Sequence, residues 1–131
     1  MKRRKIKKII KKEEGRVKRE WKSILFNLIL YAFSLVITVL FYRNVLLTTI
    51  LLSILSIIGL VKWKSWITLG IFFFGVIAGP IFEVVAINYG VWSYSIPSFF
   101  NIPFWLFILW GVAAAFIYQI ALEAKKLVHA K

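Results

Sequence analysis

Four long apolar segments follow one another along this chain, each bounded by polar or charged residues. They cover residues 23–41, 45–61, 66–87 and 103–122. At about 1.5 Å of rise per residue, a helix over the first segment would be roughly 28 Å long, close to the roughly 30 Å hydrocarbon core of a bilayer. The pattern therefore predicts an all-α, polytopic membrane protein with four transmembrane helices.

The break between the first two segments is short, since only Tyr42, Arg43 and Asn44 separate them. One helix through both segments would be about 58 Å long, nearly twice the thickness of the bilayer core. Arg43 and Asn44 therefore predict a tight helical hairpin. Further along, Pro103 is expected in the first turn of the fourth helix, where its missing N–H leaves no hydrogen bond unmade.

Basic residues set the expected orientation. The formal net charge is +13, and most of the 18 lysines and arginines precede residue 23. The other basic residues on the same predicted side are Lys62, Lys64, Lys125, Lys126 and Lys131. The opposite side has only Arg43, so the positive-inside rule predicts a multi-pass protein of the inner (cytoplasmic) cell membrane with both termini in the cytoplasm. Residues 1–22 and 123–131 are then cytoplasmic tails around a transmembrane domain, 23–122.

The N-terminal tail is predicted to be a basic amphipathic segment. Its apolar residues Ile6, Ile9, Ile10, Val17 and Trp21 lie roughly along one helical face. Gly15 is expected to interrupt the helix. Anionic lipid attracts such segments by about 1 kcal/mol per Lys or Arg near the surface, so membrane lipid is the expected partner. A solvated orientation signal is the alternative, and nucleic acid is less favoured because no recognition motif accompanies the basic run.

Composition excludes several kinds of site. The chain has no cysteine and no aspartate, and its single histidine is His129. One chain therefore cannot assemble a Ser-His-Asp triad, a thiolate site or a histidine-rich metal centre. We expect no metal site and no cofactor.

Glu83 is the one acidic residue within the four apolar segments. An ionisable group inside a membrane is costly and commonly marks a functional site, so Glu83 is the candidate catalytic residue. Arg43 is the only basic residue on the same predicted side, and a Glu83–Arg43 ion pair that clamps the helices is the structural alternative.

The uncharged segment 88–102 is rich in aromatic and turn-forming residues. We expect it to fold back over the outer ends of the third and fourth helices as a lid above Glu83. The expected ligand-binding residues are Trp92, Tyr94, Trp105 and Trp110. Aromatic walls suit polyenes, sterols, quinones, lipid tails and organic cations. An aromatic belt at the membrane surface is the alternative interpretation.

Small and polar residues also recur at helical spacing. Gly75 and Gly79 form a GxxxG pattern, which permits close approach of another helix of the chain or of a second copy, so a homo-oligomer is possible. Polar residues share one face on each of the first two predicted helices: Asn27, Tyr31, Ser34 and Thr38 on the first, Thr49, Ser53 and Ser56 on the second. Packing between helices is favoured over a polar pathway for these.

A pattern between residues 79 and 113 resembles that of a known group. Its parts are Gly79-Pro80-x-x-Glu83, Gly90-x-Trp92-x-Tyr94, Ile102-Pro103-x-Trp105 and Trp110-Gly111. It resembles small uncharacterised prokaryotic four-helix membrane proteins and is distantly similar to membrane-embedded carotenoid-biosynthesis proteins, the carotenoid hydratases and heterodimeric lycopene cyclases. The resemblance covers about a quarter of the chain. It implies that Glu83 is a general acid toward an isoprenoid-like substrate.

The expected function is therefore the binding or modification of an apolar, isoprenoid- or lipid-like ligand at the outer leaflet around Glu83. One alternative is a dimeric proton-coupled transporter of small molecules, similar in design to the small multidrug transporters. Another is a structural membrane protein in which Glu83 and Arg43 form the clamp. Whether the chain is an enzyme stays open at this point.

Overall fold

A computed structural model describes residues 2–128 of the chain. Four helices make up most of it: α1 (Lys2–Phe41), α2 (Val45–Trp63), α3 (Trp66–Asn88) and α4 (Trp105–Val128), with no strand among these residues. All four are long and apolar enough to cross a membrane. The predicted all-α fold with four candidate spans is confirmed, and the chain is a membrane protein. His129 and Lys131 lie outside the described residues.

Helix α1 is continuous over 40 residues, so the expectation that Gly15 interrupts it is wrong. A glycine inside a helix costs only about 1 kcal/mol relative to alanine, and the neighbouring Lys, Glu and Arg residues favour helix. Arg16 and Glu13 also form an ion pair across the glycine, with 2.9 Å between Nη2 and Oε2. A second Arg16 nitrogen, Nη1, donates to the carbonyl oxygen of Lys126 at 2.9 Å. The basic tail is thus tied to the last turns of α4.

The short connections between the first three helices have clear local causes. The predicted hairpin at residues 42–44 is present. The Asn44 side chain caps α2 by accepting the Leu47 N–H at 3.1 Å. At the other end of α2, Lys64 adopts a left-handed conformation with φ 48°. Ser65 then caps α3 by accepting the Thr68 N–H at 3.2 Å. Such caps satisfy the free N–H groups at a helix start.

Helix α4 is central and packs against each of the other three helices, whereas the backbones of α1 and α3 do not come close together within residues 2–128. One buried cluster joins α2 to the start of α4 through Leu52, Ile102, Trp105 and Leu106. Many other large apolar side chains face outward; Leu46, for example, is 72% exposed. Exposed apolar surface on this scale is what lipid contact requires, because a soluble domain would bury it.

The GxxxG face of α3 packs against α4 of the same chain. A Cβ placed on Gly75 would lie 2.6 Å from the carbonyl oxygen of Trp110, and one on Gly79 would overlap the Trp110 indole. Gly111 on α4 is reciprocally close, since its added Cβ would lie 2.8 Å from the Phe72 ring. These glycines therefore allow α3 and α4 to approach closely, and a contact between copies of the chain would have to use another face.

Helix α4 begins at Trp105, so Pro103 does not occupy its first turn as expected. Pro103 is fully buried instead and belongs to a turn that leads into the helix, where its carbonyl accepts the Leu106 N–H at 3.1 Å. Ser98 supports the same turn, because its Oγ accepts the Phe104 N–H at 2.8 Å. The preceding loop folds back on the bundle, and its Ile102 is completely buried.

Most hydroxyl groups of the polar faces bond to their own helix rather than to a neighbour. Thr38 donates to the Ser34 carbonyl at 2.8 Å, and Ser56 donates to the Leu52 carbonyl at 2.7 Å. This pattern satisfies a hydroxyl in apolar surroundings without a partner helix. Asn27 is different, because its side chain bonds to both α2 and α4.

Candidate functional site

Glu83 is buried near the loop end of α3, with 6% of its surface exposed. Each carboxylate oxygen faces an indole N–H. Trp92 Nε1 donates to Oε2 at 2.6 Å, and Trp110 Nε1 donates to Oε1 at 3.3 Å. Two N–H donors partly replace the water that a carboxylate loses on burial.

A chain reversal at the end of α3 brings Trp92 back to Glu83. Gly90 has φ +75°, a conformation that glycine adopts without strain. The N–H of Val91 bonds to the Ala86 carbonyl at 3.0 Å, which closes the reversal. Trp92 also lies beside Phe82, with 6.0 Å between ring centroids. Since Trp92 is 39% exposed, it covers one side of the carboxylate and forms part of the outer surface.

Tyr94 and Trp105 continue the aromatic wall. Their rings meet edge to face with centroids 6.2 Å apart, and Trp105 is buried. Burial raises the pKa of the Tyr94 phenol well above its ordinary value, and the neighbouring Glu83 carboxylate raises it further. Tyr94 therefore stays a neutral hydrogen-bond donor beside Glu83.

Of the predicted site residues, Glu83, Tyr94 and Trp110 line a cleft of about 380 Å³ between α1 and α4, whereas Trp92 and Trp105 are not part of its lining. Glu83 is the only charged residue in its lining, which otherwise consists of Tyr31, Leu35, Tyr94, Leu106, Leu109, Trp110, Ala113 and Ile117. Leu35 and Ile117 are 45% and 65% exposed, so the rim of the cleft faces the lipid-accessible surface. The size is within the range of small-molecule sites.

Arg43 is not brought into contact with Glu83. Its Nε donates to the Tyr42 hydroxyl at 3.3 Å, and its guanidinium lies 5.8 Å from the centre of the same ring. Within residues 2–128 the one ion pair is Arg16–Glu13. The surroundings of Glu83 are therefore aromatic, and the clamp geometry is not formed.

The arrangement allows two kinds of chemistry. An ionised Glu83 accepts hydrogen bonds or attracts a cation, and a neutral Glu83 donates a proton to a group in the cleft. A metal site is not favoured by the side chains, since no three His, Cys, Asp or Glu residues cluster in the described part of the chain.

The structure thus joins Glu83, Trp92, Tyr94, Trp105 and Trp110, and leaves Arg43 apart. Sequence reasoning missed the wall that α1 contributes. Tyr31 had a signal, because it belongs to the polar face of the first predicted helix. Leu35 on α1 had none, and neither did Leu109 on α4, since apolar residues facing lipid and apolar residues facing a cleft look alike in sequence.

No protein-family model, curated protein or solved structure matches this chain.

Proposed function

We propose that this membrane protein binds an apolar ligand of the isoprenoid or lipid type in the cleft beside Glu83. The observation that carries the proposal is a buried carboxylate in the wall of an otherwise apolar cavity. A carboxylate in such surroundings is costly to maintain, which favours a functional role. The clamp alternative loses its support because Arg43 bonds to Tyr42.

The position of the cleft suits a ligand that is dissolved in the bilayer. Its rim residues Leu35 and Ile117 are exposed on the apolar surface of the bundle, so a hydrophobic molecule can enter sideways without crossing water. Inside, Trp110 and Tyr94 offer flat aromatic surfaces to a polyene or an acyl chain.

In the catalytic form of the proposal, neutral Glu83 donates its proton to a carbon–carbon double bond of the ligand. The resulting cation loses a proton from another carbon, which returns Glu83 to its neutral form and leaves an isomerised or cyclised product. Trp92 and Trp110 hold the carboxyl group in place through their N–H groups. The aromatic faces nearby favour a cationic intermediate.

The proposed location is the cytoplasmic cell membrane, with both termini in the cytoplasm and Glu83 toward the outer leaflet. The asymmetry of basic residues supports this orientation, because Lys62 and Lys126 lie at the same end of the bundle as the basic tail, and Arg43 lies at the opposite end. The tail is proposed to attract anionic lipid non-specifically.

The binding proposal can be tested with lycopene in detergent micelles, using quenching of tryptophan fluorescence by the polyene. Ala113→Phe fills the cleft and is expected to weaken binding by about tenfold or more, which corresponds to loss of roughly 1.4 kcal/mol of binding free energy. Ala121→Phe is the matched control, because Ala121 is exposed on the same helix and does not line the cleft.

Equal quenching curves for the two variants would refute binding in the cleft. Glu83→Gln separates binding from chemistry, since it keeps the shape of the side chain and has no proton to deliver. We expect this variant to retain most of the lycopene affinity and to form no altered polyene, as measured by chromatography of the extracted pigment.

A further inference from the structure

A second cavity, of about 590 Å³, lies at the opposite end of the bundle from Glu83. It is formed by α1, α2 and α4, and its lining residues are Arg16, Arg19, Glu20, Lys22, Ser23, Phe26, Asn27, Lys62, Trp63, Gln119, Glu123 and Lys126. We call it the basic-end cavity. Its polar lining contrasts with the apolar cleft, so the two cavities suit different ligands.

The floor of the basic-end cavity is a hydrogen-bonded network that links three helices. Asn27 Nδ2 lies 3.0 Å and 3.1 Å from the two carboxylate oxygens of Glu123, and Asn27 Oδ1 accepts the Trp63 indole N–H at 2.8 Å. Asn27 is 1% exposed and Glu123 is 5% exposed. A buried and well-partnered network of this kind fixes the relative positions of the helices. The shape of the cavity is therefore fixed by buried hydrogen bonds of the folded chain.

A second bond extends this floor to α3. Gln119 Nε2 donates to the Thr68 Oγ1 at 2.6 Å, and both residues are buried. The sequence predicts a cytoplasmic tail that begins at Glu123. Helix α4 instead runs to Val128 and places Glu123 inside the bundle.

Basic side chains from three separate parts of the chain surround the opening. Arg16, Arg19 and Lys22 come from α1, Lys62 from α2 and Lys126 from α4. These five cations face two carboxylates in the same lining, those of Glu20 and Glu123. Arg16 is also paired with Glu13, and an excess of positive charge remains after these three carboxylates are counted. Charge of one sign focused in a cavity attracts an anion more strongly than the same charges spread over a surface.

Two contacts hold the cationic wall in place. Arg16 bonds to the Lys126 carbonyl at 2.9 Å, which keeps the tail helix beside the end of α4. The Lys62 ammonium lies 5.7 Å from the centre of the Phe26 ring, a cation–π distance. The opening therefore has a defined shape as well as a charge.

From this geometry we propose that the basic-end cavity is a specific binding site for the phosphate of a lipid headgroup. Phosphate offers several acceptor oxygens to Lys and Arg donors. A lipid is favoured over free phosphate because the cavity is far larger than one ion and because Phe26 and Trp63 form an apolar part of its wall. A headgroup in the cavity leaves its acyl chains beside the apolar length of α1.

This proposal differs from a general attraction between the tail and anionic lipid. A general attraction depends on the number of basic residues, whereas a site depends on which ones are changed. The chain offers a matched pair of double variants for this distinction. Lys62→Gln with Lys126→Gln removes two cations from the cavity lining. Lys64→Gln with Lys125→Gln removes two cations that lie within two positions of them in sequence and outside the lining.

The test uses the full chain in detergent micelles, titrated with phosphatidylglycerol and followed by native mass spectrometry of retained lipid. We expect the Lys62/Lys126 variant to bind about tenfold more weakly or worse, and the Lys64/Lys125 variant to stay within about twofold of the unchanged protein. Ser23→Trp is a second probe that fills the cavity without changing its charge, and the same loss is expected. Thermal denaturation of each variant checks that it is folded.

Equal losses for the two double variants would overturn the site and leave only general electrostatic attraction. Inorganic phosphate and phosphatidylcholine are the comparison ligands in the same titration. Displacement of phosphatidylglycerol by equimolar inorganic phosphate would overturn the assignment to a lipid. Binding that persists in Ser23→Trp and in the Lys62/Lys126 variant would also refute the proposal.

Discussion

The indole N–H of Trp92 lies 2.6 Å from Oε2 of Glu83, so a residue of the loop after α3 holds a carboxylate that belongs to the helix itself. The reversal at Gly90 makes this contact possible over only nine positions of sequence. The loop and the membrane-embedded part of α3 therefore form one structural unit. The loop is part of the site, not a plain connection between two spans.

We expect Trp92→Phe to lower the stability of the protein by about 2 kcal/mol, because a buried hydrogen bond is lost and one oxygen of Glu83 is left without its donor. Thermal denaturation in detergent measures the effect. Trp66→Phe is the control, since Trp66 is 87% exposed and its indole N–H donates no hydrogen bond within the described residues. Equal shifts for the two variants would contradict the role of the Trp92 hydrogen bond.

Glu83 and Arg43 should behave as independent residues. Because Arg43 bonds to Tyr42, a double-mutant cycle of Glu83→Gln and Arg43→Gln is expected to give a coupling free energy below about 0.5 kcal/mol. Arg43→Gln alone should change stability little, as is usual for an exposed residue. A double variant no less stable than either single variant would show instead that the two residues form a pair.

Gly79→Ala is expected to destabilise the bundle by about 2 kcal/mol or more, because the added methyl group would overlap the Trp110 indole and force α3 and α4 apart. Gly70→Ala on the same helix has open space around it and should be neutral or stabilising by up to about 1 kcal/mol. Thermal denaturation measures the stability of both variants. Equal stability of the two variants would mean that α3 and α4 do not pack as closely at Gly79 as they do in this structure.

The Tyr94 phenol should ionise only in strongly alkaline solution. The pKa of a tyrosine in an unfolded chain is about 10, whereas burial raises the pKa of Tyr94 in the folded chain. The unfolded state therefore loses its proton first, and Tyr94 lowers the stability of the fold as the pH rises above about 10. Tyrosinate absorbance at about pH 11 measures this ionisation, and Tyr94→Phe is expected to remove none of the signal.

Orientation is open to direct labelling, because the chain has no cysteine of its own. A cysteine at Ser95, an exposed position of the loop after α3, should react with an impermeant thiol reagent in intact cells. A cysteine at Lys125, exposed near the end of α4, should react only after the cells are opened. The reverse labelling would invert the proposed topology.

Hydropathy alone was enough to predict the four helices and the hairpin at Arg43 and Asn44. The reason is that the thickness of the bilayer limits the length of an apolar segment. The break at Gly15 was predicted wrongly because one glycine is a weak signal when its neighbours favour helix and Arg16 bridges it to Glu13. The position of Pro103 was wrong because burial in a turn places it before the helix.

The candidate site was partly accessible from sequence. Glu83 and the four aromatic residues are residue types that are unusual at their places in the sequence. Each of them could therefore be selected individually as a candidate site residue. Their connection depends on the reversal at Gly90 and on the close packing that Gly79 permits, neither of which hydropathy records. The network of Asn27, Trp63 and Glu123 was missed because its members are far apart in sequence and lie near the ends of apolar segments, where polar residues are ordinary.

The unbroken course of α1 has a mechanical consequence. Its backbone hydrogen bonds continue from the basic tail through Asn27 to Tyr31, so the helix resists twisting between these points. A rotation of the tail about its own axis would turn Asn27 against Glu123 and Tyr31 against the wall of the cleft through the same angle. A turn of the basic tail would thus be passed along α1 to the wall of the cleft.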